Sequence, residues 1–321
     1  MRILITGAAG FIGQIVTVKL LENPSNRLLL TDVFEPPASK DPQHAGHVEF
    51  ITADLVTEAS KLMQGALDNA ILLHGIMSSG AEADFDFGYR VNVDATRSLL
   101  DCLAKAYPGI RVLYASSEAV YGTPVPKYKV TEKDITTPEM SYGCQKLICE
   151  TLINDYTRRG MLNGFALRLP TISIRPGKPS AAVSSFLSGI IREPLNGQEC
   201  IIPLKDRQWK HWMSSPRTVV ENLVYALTLP RDALAPHRRA VNLPGFAVTV
   251  QEMLDTLEQV GGKEARKLVR EEPNDSMQSL LYSWADDFDN SLALDLGMKQ
   301  DHSFLQSARD YMETVGMSVR V

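Results

Sequence analysis

A chain of 321 residues, 44% hydrophobic and 22% charged, has the make-up of a folded protein with a sizeable core. Its 33 Lys+Arg against 38 Asp+Glu leave a net charge of -5, which speaks against nucleic acid or a polybasic membrane contact. No apolar run approaches the roughly 18 residues of a membrane span, and the four cysteines form neither a CxxC pair nor a zinc spacing, so reduced thiols, no metal and a cytoplasmic location are expected.

The start, MRILITGAAGFIG, is apolar like a leader, but glycines interrupt it and it is read as mature structure. Near-continuous apolar runs at Arg2–Thr6, Leu28–Val33, Val48–Thr52, Ala70–His74, Ile110–Ala115 and Gly164–Leu169 predict strands covered on both faces. Helical patterns lie between them, at Gly13–Glu22, Val91–Tyr107 and Glu139–Arg159. This alternation predicts an α/β fold with a doubly wound parallel sheet. After Arg175 the texture changes at Pro176, Gly177 and Pro179, where a smaller substrate lobe is expected to begin. Ser215–Leu229 (a helix with Pro216 at its first turn) and a strand from Ala240 are expected to return to the main sheet. The predicted division is therefore 1–175 with 216–244 as the cofactor domain, and 176–215 with 245–321 as a discontinuous C-terminal substrate lobe.

The first strand runs into TGAAGFIG, placing Gly7, Gly10 and Gly13 at the start of a helix. Such a turn lets backbone approach a pyrophosphate at the helix N-terminus, although a glycine triplet alone is weak evidence. Asp32 ends the next strand, where a carboxylate accepts from ribose hydroxyls, and no Lys or Arg follows before Lys40 to hold the extra phosphate of NADP. NAD is expected. Asp54, past the third strand, is a candidate adenine neighbour or a turn former.

In SYGCQK, Tyr142 and Lys146 stand one helical turn apart, downstream of ASSEAVYG with Ser116 and Ser117 at a strand end. A phenol with its ordinary pKa near 10 needs about 4 kcal/mol of differential stabilisation to act as a base near pH 7. The Lys146 ammonium and an oxidised nicotinamide both favour the phenolate, and Ser117 can hold the substrate oxygen.

Taken in order, TGAAGFIG, Asp32, RVNVDATRSLL, ASSEAVYG, SYGCQK and LRLPTISIRPG resemble the extended short-chain dehydrogenase/reductase family over nearly the whole chain. That resemblance implies a Rossmann-type sheet, NAD, and Ser117, Tyr142 and Lys146 as catalytic residues. It implies cofactor contacts at Gly7, Gly10, Phe11, Ile12, Gly13, Asp32, Asp54, Leu55, Asn92, Ser116, Tyr142, Lys146, Pro170, Thr171 and Ile172. Leu73, His74 and Gly75 fall against the cofactor as well, although LLHGIMS departs from the usual run and His74 is read as a packed strand-end residue. Stretches such as GAEADFDFGYRVN and WMSSPRTVVENL resemble the branch that oxidises D-erythronate. The implied activity is oxidation of a secondary hydroxyl of a small sugar acid by a homodimer paired through Val91–Tyr107 and Glu139–Arg159. Nucleotide-sugar 4-epimerase is the alternative, weakened by Thr171 where such enzymes carry Asn. A non-catalytic NAD(H)-binding regulator is the second. A small acid calls for a carboxylate clamp, with Arg175 and Arg217 as candidates and Ser78 and Ser79 as hydroxyl contacts. Arg192 is read as capping its helix.

Overall fold

The computed structural model describes residues 1–178 and 183–317; Pro179 lies outside them. Its strands are β1 (Arg2–Thr6), β2 (Arg27–Asp32), β3 (Val48–Thr52), β4 (Asn69–Leu72), β5 (Arg111–Ser117), β6 (Asn163–Leu169), β7 (Thr171–Ile172), β8 (Cys200–Ile202), β9 (Lys210–Ser214), β10 (Ala240–Asn242), β11 (Phe246–Thr249) and β12 (Val269–Glu271). The chain divides into two units. One comprises Met1–Val120, Pro138–Leu169 and Val220–Asn242, the other Tyr121–Thr137, Pro170–Val219 and Leu243–Val321.

The first unit holds a seven-stranded sheet in the order β10-β6-β5-β4-β1-β2-β3. All its pairings are parallel. Helices cover both faces, which is why Ile3, Leu4, Ile5, Ile71, Leu113 and Phe165 are wholly buried. Each such side chain contributes about 1.5–3 kcal/mol relative to exposure. β1 and β4 are neighbours from which the chain order runs outward in opposite directions, so the crevice at their carboxyl ends is the switch point where such folds take ligands.

Two elements differ from the sequence pattern. β4 stops at Leu72, because its partner β1 ends at Thr6 and the chain turns at Gly7; the Leu73 N–H bond to the Thr6 carbonyl at 3.2 Å is the last rung of that pairing. The helix expected from Val91 begins with a π turn over Arg90–Asp94 and becomes α-helical only over Ala95–Ala106. A π turn adds one residue to the repeat and rotates what precedes it.

The second unit contains the sheet β11-β9-β7 and the pair β12-β8. Its core gathers Phe186, Ile190, Trp209, Met253, Leu257 and Phe304. The helix Val250–Arg266 starts with a capping box, in which Thr249 and Glu252 satisfy each other's backbone N–H groups. Asp301 accepts from Ser214 Oγ, Ser215 N and Oγ, and Thr218 Oγ1 at 2.6–2.7 Å, fastening its loop to the start of the helix Pro216–Ala226. No described helix is long and apolar enough to cross a membrane.

Candidate active site

The glycine turn is built for close approach. Gly7 has φ +66°, and a Cβ at Gly13 would lie 2.2 Å from the Gly7 carbonyl oxygen. Phe11 and Ile12 begin the helix Phe11–Leu21, whose N-cap is Gly10 with no side chain capping the first turn. Its leading N–H groups are thus suited to an anionic pyrophosphate. Asp32 braces the turn, accepting from Ala9 N–H at 2.9 Å and Val33 N–H at 2.7 Å. Each of its oxygens keeps a second lone pair for a ribose hydroxyl. Lys40, the first cation downstream, pairs with Glu35 at 3.4 Å. These residues fit a dinucleotide without a 2′-phosphate.

Asp54 caps the short helix that begins at the buried Leu55, accepting from Val56 N–H, and pairs with Arg90 at 2.7 Å. Those two contacts, the backbone bond first, hold its carboxyl below the usual range. The Asp54 carboxylate is therefore engaged in turn and ion pair.

Beyond β4 lies a buried polar network. Thr6 Oγ1 is 2.7 Å from His74 Nδ1 and also accepts from Leu73 N–H. Thr96 Oγ1 donates to the Asn92 carbonyl, leaving its lone pair for His74 Nε2–H at 3.1 Å. Both ring nitrogens are used, and burial pulls His74 down to about 3, so it is neutral at physiological pH. It packs the strand end. Asn92, 1% exposed on the π turn, binds Ile76 through both amide ends. It thereby clamps the turn containing Leu73, His74 and Gly75.

Tyr142 and Lys146 sit in the first turns of the helix Ser141–Arg158. Lys146, 4% exposed, donates to the Ala115 carbonyl at 2.7 Å. Its ammonium lies 4.7 Å from the Tyr114 ring centre and 5.5 Å from that of Tyr142. Burial lowers its pKa to about 8, which leaves it mostly charged at pH 7. A cation held there favours the Tyr142 phenolate. Ser117 closes β5, its Oγ accepting from Ala119 N–H at 3.1 Å. Ser116 points elsewhere: its hydroxyl donates to Glu150 at 2.5 Å, and Glu150 is gripped by Arg168 at 2.7 and 2.9 Å. All three are buried, so the Ser116 hydroxyl belongs to this internal network.

Ser78 and Ser79 open the helix Ser78–Ala83, each partly exposed. In the second unit, Thr171 Oγ1 lies 2.7 Å from Nε2 of His211. His211 is buried and stacked on Trp209, and burial pulls it to about 3. Pro170 precedes this pair and Ile172 follows it on β7. Arg175 Nε donates to the Ile172 carbonyl at 3.0 Å, while its backbone is held by Ser188 Oγ and by Arg192 Nη1. Arg192, read as a helix cap, instead spends its guanidinium on the Arg175 carbonyl at 2.9 Å and on Glu193 at 2.6 Å. Arg217 is shared by Asp310 at 3.3 Å and Glu313 at 3.4 Å. The sequence reading missed His211 and Gln145; nothing in their spacing marks them, because what they do depends on partners 40 and 53 residues away. Among the described residues no group of three His, Cys, Asp or Glu side chains is placed to hold a metal ion.

A parallel sheet, a glycine turn at its switch point and a buried Lys beside a tyrosine fit a nucleotide-dependent oxidoreductase. The chain belongs to the NAD dependent epimerase/dehydratase family, whose profile matches residues 3–243, and NAD is its cofactor. It is 39% identical to D-erythronate dehydrogenase of Haemophilus influenzae, over 98% of this chain and 99% of that one. It is 40% identical to D-erythronate dehydrogenase of Cupriavidus necator, over 99% and 100%. A crystal structure described as a nucleoside-diphosphate-sugar epimerase from Agrobacterium tumefaciens superposes with a TM-score of 0.93 at 40% identity, covering 100% of this chain and 96% of that one. L-threonine 3-dehydrogenase from Trypanosoma brucei shares the fold, with a TM-score of 0.85 at 23% identity over 99% of each chain.

Proposed function

We propose that the protein oxidises a secondary hydroxyl of a small sugar acid, D-erythronate, to the 2-keto acid. The observation that carries the chemistry is the buried, charged Lys146 beside the Tyr142 ring. Tyr142, as phenolate, takes the proton of the substrate hydroxyl; Ser117 Oγ holds that oxygen; Lys146 keeps the phenolate accessible near neutral pH. NAD, when bound, supplies the hydride acceptor. The glycine turn, Asp32, the Leu73–Gly75 turn, Asn92 and Pro170–Ile172 are proposed to bind it, with Asp54 and Leu55 beside the adenine. The choice of substrate rests on the two D-erythronate dehydrogenases similar over nearly the full chain.

The first unit is proposed as the NAD domain and the second as the substrate lobe. Arg175 is the favoured carboxylate clamp, since its Nε is tied to Ile172 and its backbone is held on two sides. Arg217, shared by two carboxylates, is second. Ser78 and Ser79 supply hydroxyl contacts. A cytoplasmic location accords with four unbridged cysteines. A homodimer would pair the helices Ala95–Ala106 and Ser141–Arg158, where Ile148 is exposed.

The similarity to the Agrobacterium tumefaciens protein favours a second reading, a nucleotide-sugar epimerase. Excess NAD is supplied with D-erythronate and, separately, with UDP-galactose, and NADH absorbance is followed. Net NADH with the acid is the expected result. Isomerised sugar nucleotide without net NADH would establish the second reading instead.

A further inference from the structure

Gln145 immediately precedes Lys146 and is 0% exposed. Its Oε1 accepts from Asn92 Nδ2 at 2.6 Å. The orientation is settled by Ile76, whose N–H donates to Asn92 Oδ1 at 2.7 Å and whose carbonyl accepts from Asn92 Nδ2 at 3.1 Å. Asn92 therefore offers Gln145 only N–H, and Gln145 must answer with its oxygen. The other end of the Gln145 amide, Nε2, is buried without a partner, 2.8 Å from where a Cβ on Gly88 would sit. A half-satisfied buried amide is a poor device for stability alone, since an apolar side chain of similar size would leave no donor unmet.

What the amide does accomplish is geometric. A Cβ on Gly75 would lie 2.8 Å from Asn92 Oδ1 and 3.7 Å from Lys146 Nζ, so turn, asparagine and ammonium are packed together. Gln145 and Lys146 leave the helix on adjacent bearings. The Gln145–Asn92 bond sets the helix's rotation relative to the turn, and with it the placing of Lys146 beside the Ala115 carbonyl and the Tyr142 ring. We propose that Gln145 is a positioning residue that locks the Gly75–Ile76 turn to the helix bearing Tyr142 and Lys146, fixing nicotinamide-side backbone and catalytic base in one frame.

The kinetic part of the test rests on the dehydrogenase reading; fluorescence of bound NADH does not, so the two can fail separately. In the full chain, Gln145→Met keeps volume and removes the acceptor. It is expected to lower kcat about 10- to 100-fold, the scale of a misplacement near 1 Å. It should also raise the apparent pKa of the ascending limb of kcat and alter the emission of bound NADH, while KM for D-erythronate changes less than kcat. Gln145→Glu, which keeps an acceptor for Asn92, should restore most of kcat. A residue that only packs would lower Tm and leave pH profile and emission in place. Wild-type kcat, pH profile and NADH emission in Gln145→Met would overturn the proposal. If no activity with D-erythronate is found, unchanged emission alone overturns it. Should Gln145→Met fail to fold, Gln145→Leu, which also removes the acceptor, decides: altered emission of bound NADH supports the lock, and wild-type emission refutes it.

Discussion

Two buried cations occupy opposite ends of the same sheet. Near the carboxyl ends, Lys146 makes one hydrogen bond, to the Ala115 carbonyl, and its pKa is drawn down to about 8. At the amino end of β6, Arg239 is 1% exposed and donates to the carbonyls of Gly164, Arg231 and Leu234 and to Asn163 Oδ1. Its guanidinium also lies 3.8 Å from the Phe165 ring centre, and burial draws it to about 10. Neither cation is bonded to a carboxylate. Their difference is saturation: the arginine's donors are spent on fixed carbonyls, which ties the 231–239 loop to the sheet, whereas an ammonium with three donors and one partner retains capacity for a ligand.

The sharpest test of that contrast replaces each cation with methionine. Lys146→Met is expected to lower kcat about 10³-fold, within the range of acid–base contributions, while Tm holds or rises because an incompletely paired charge leaves the interior. Arg239→Met strands several buried carbonyls. It should cost about 3 kcal/mol by denaturant titration and leave kcat within about twofold at a permissive temperature. A catalytic loss in Arg239→Met equal to that in Lys146→Met would break the distinction.

A smaller effect is expected at Asp32. Asp32→Ala should weaken NAD binding about tenfold, or roughly 1.4 kcal/mol, and relax the preference over NADP. An unchanged NAD:NADP ratio would remove the ribose role. Arg175→Ala should raise KM for the acid a few-fold with NAD affinity retained. If KM is unchanged there but rises in Arg217→Ala, the clamp is Arg217.

The smallest signal is in pH. The folded-state pKa of Lys146 lies below its unfolded value near 10.5, so between about 8 and 10.5 the unfolded chain binds more protons. The penalty is present in full below 8 and relieved as pH rises through that window. The Tm difference between wild type and Lys146→Met should therefore shift in favour of wild type from pH 8 to 10, and a flat difference would mean that Lys146 is not desolvated.

The sheet of the first unit was readable because both-face burial writes itself as apolar runs, and the glycine turn because backbone approach admits no other residue. Tyr142 and Lys146 stood out through helical spacing only together with the glycine turn and the ASSEAVYG strand end. The π turn at Arg90–Asp94 was not, since one inserted residue barely disturbs the apolar pattern around Val91 and Val93. Arg239, in HRRAVN, reads as surface charge; its burial depends on Asn163 and Gly164, 76 and 75 residues away. Ser116 and Ser117 are chemically alike in the sequence, and only strand alternation and the Glu150–Arg168 pair separate their roles. In the second unit, strands of two to five residues carry little periodicity. The TVQE capping box before Val250–Arg266 was the available signal there.

The central claim is that Tyr142 and Lys146 drive a net oxidation whose keto product leaves. Single turnover of D-erythronate deuterated at C2, with excess NAD and mass analysis of both products, tests it most directly. The account predicts deuterium in the reduced nicotinamide and an unlabelled 2-keto acid. Deuterium retained in the four-carbon acid, with no reduced nicotinamide released, would contradict it.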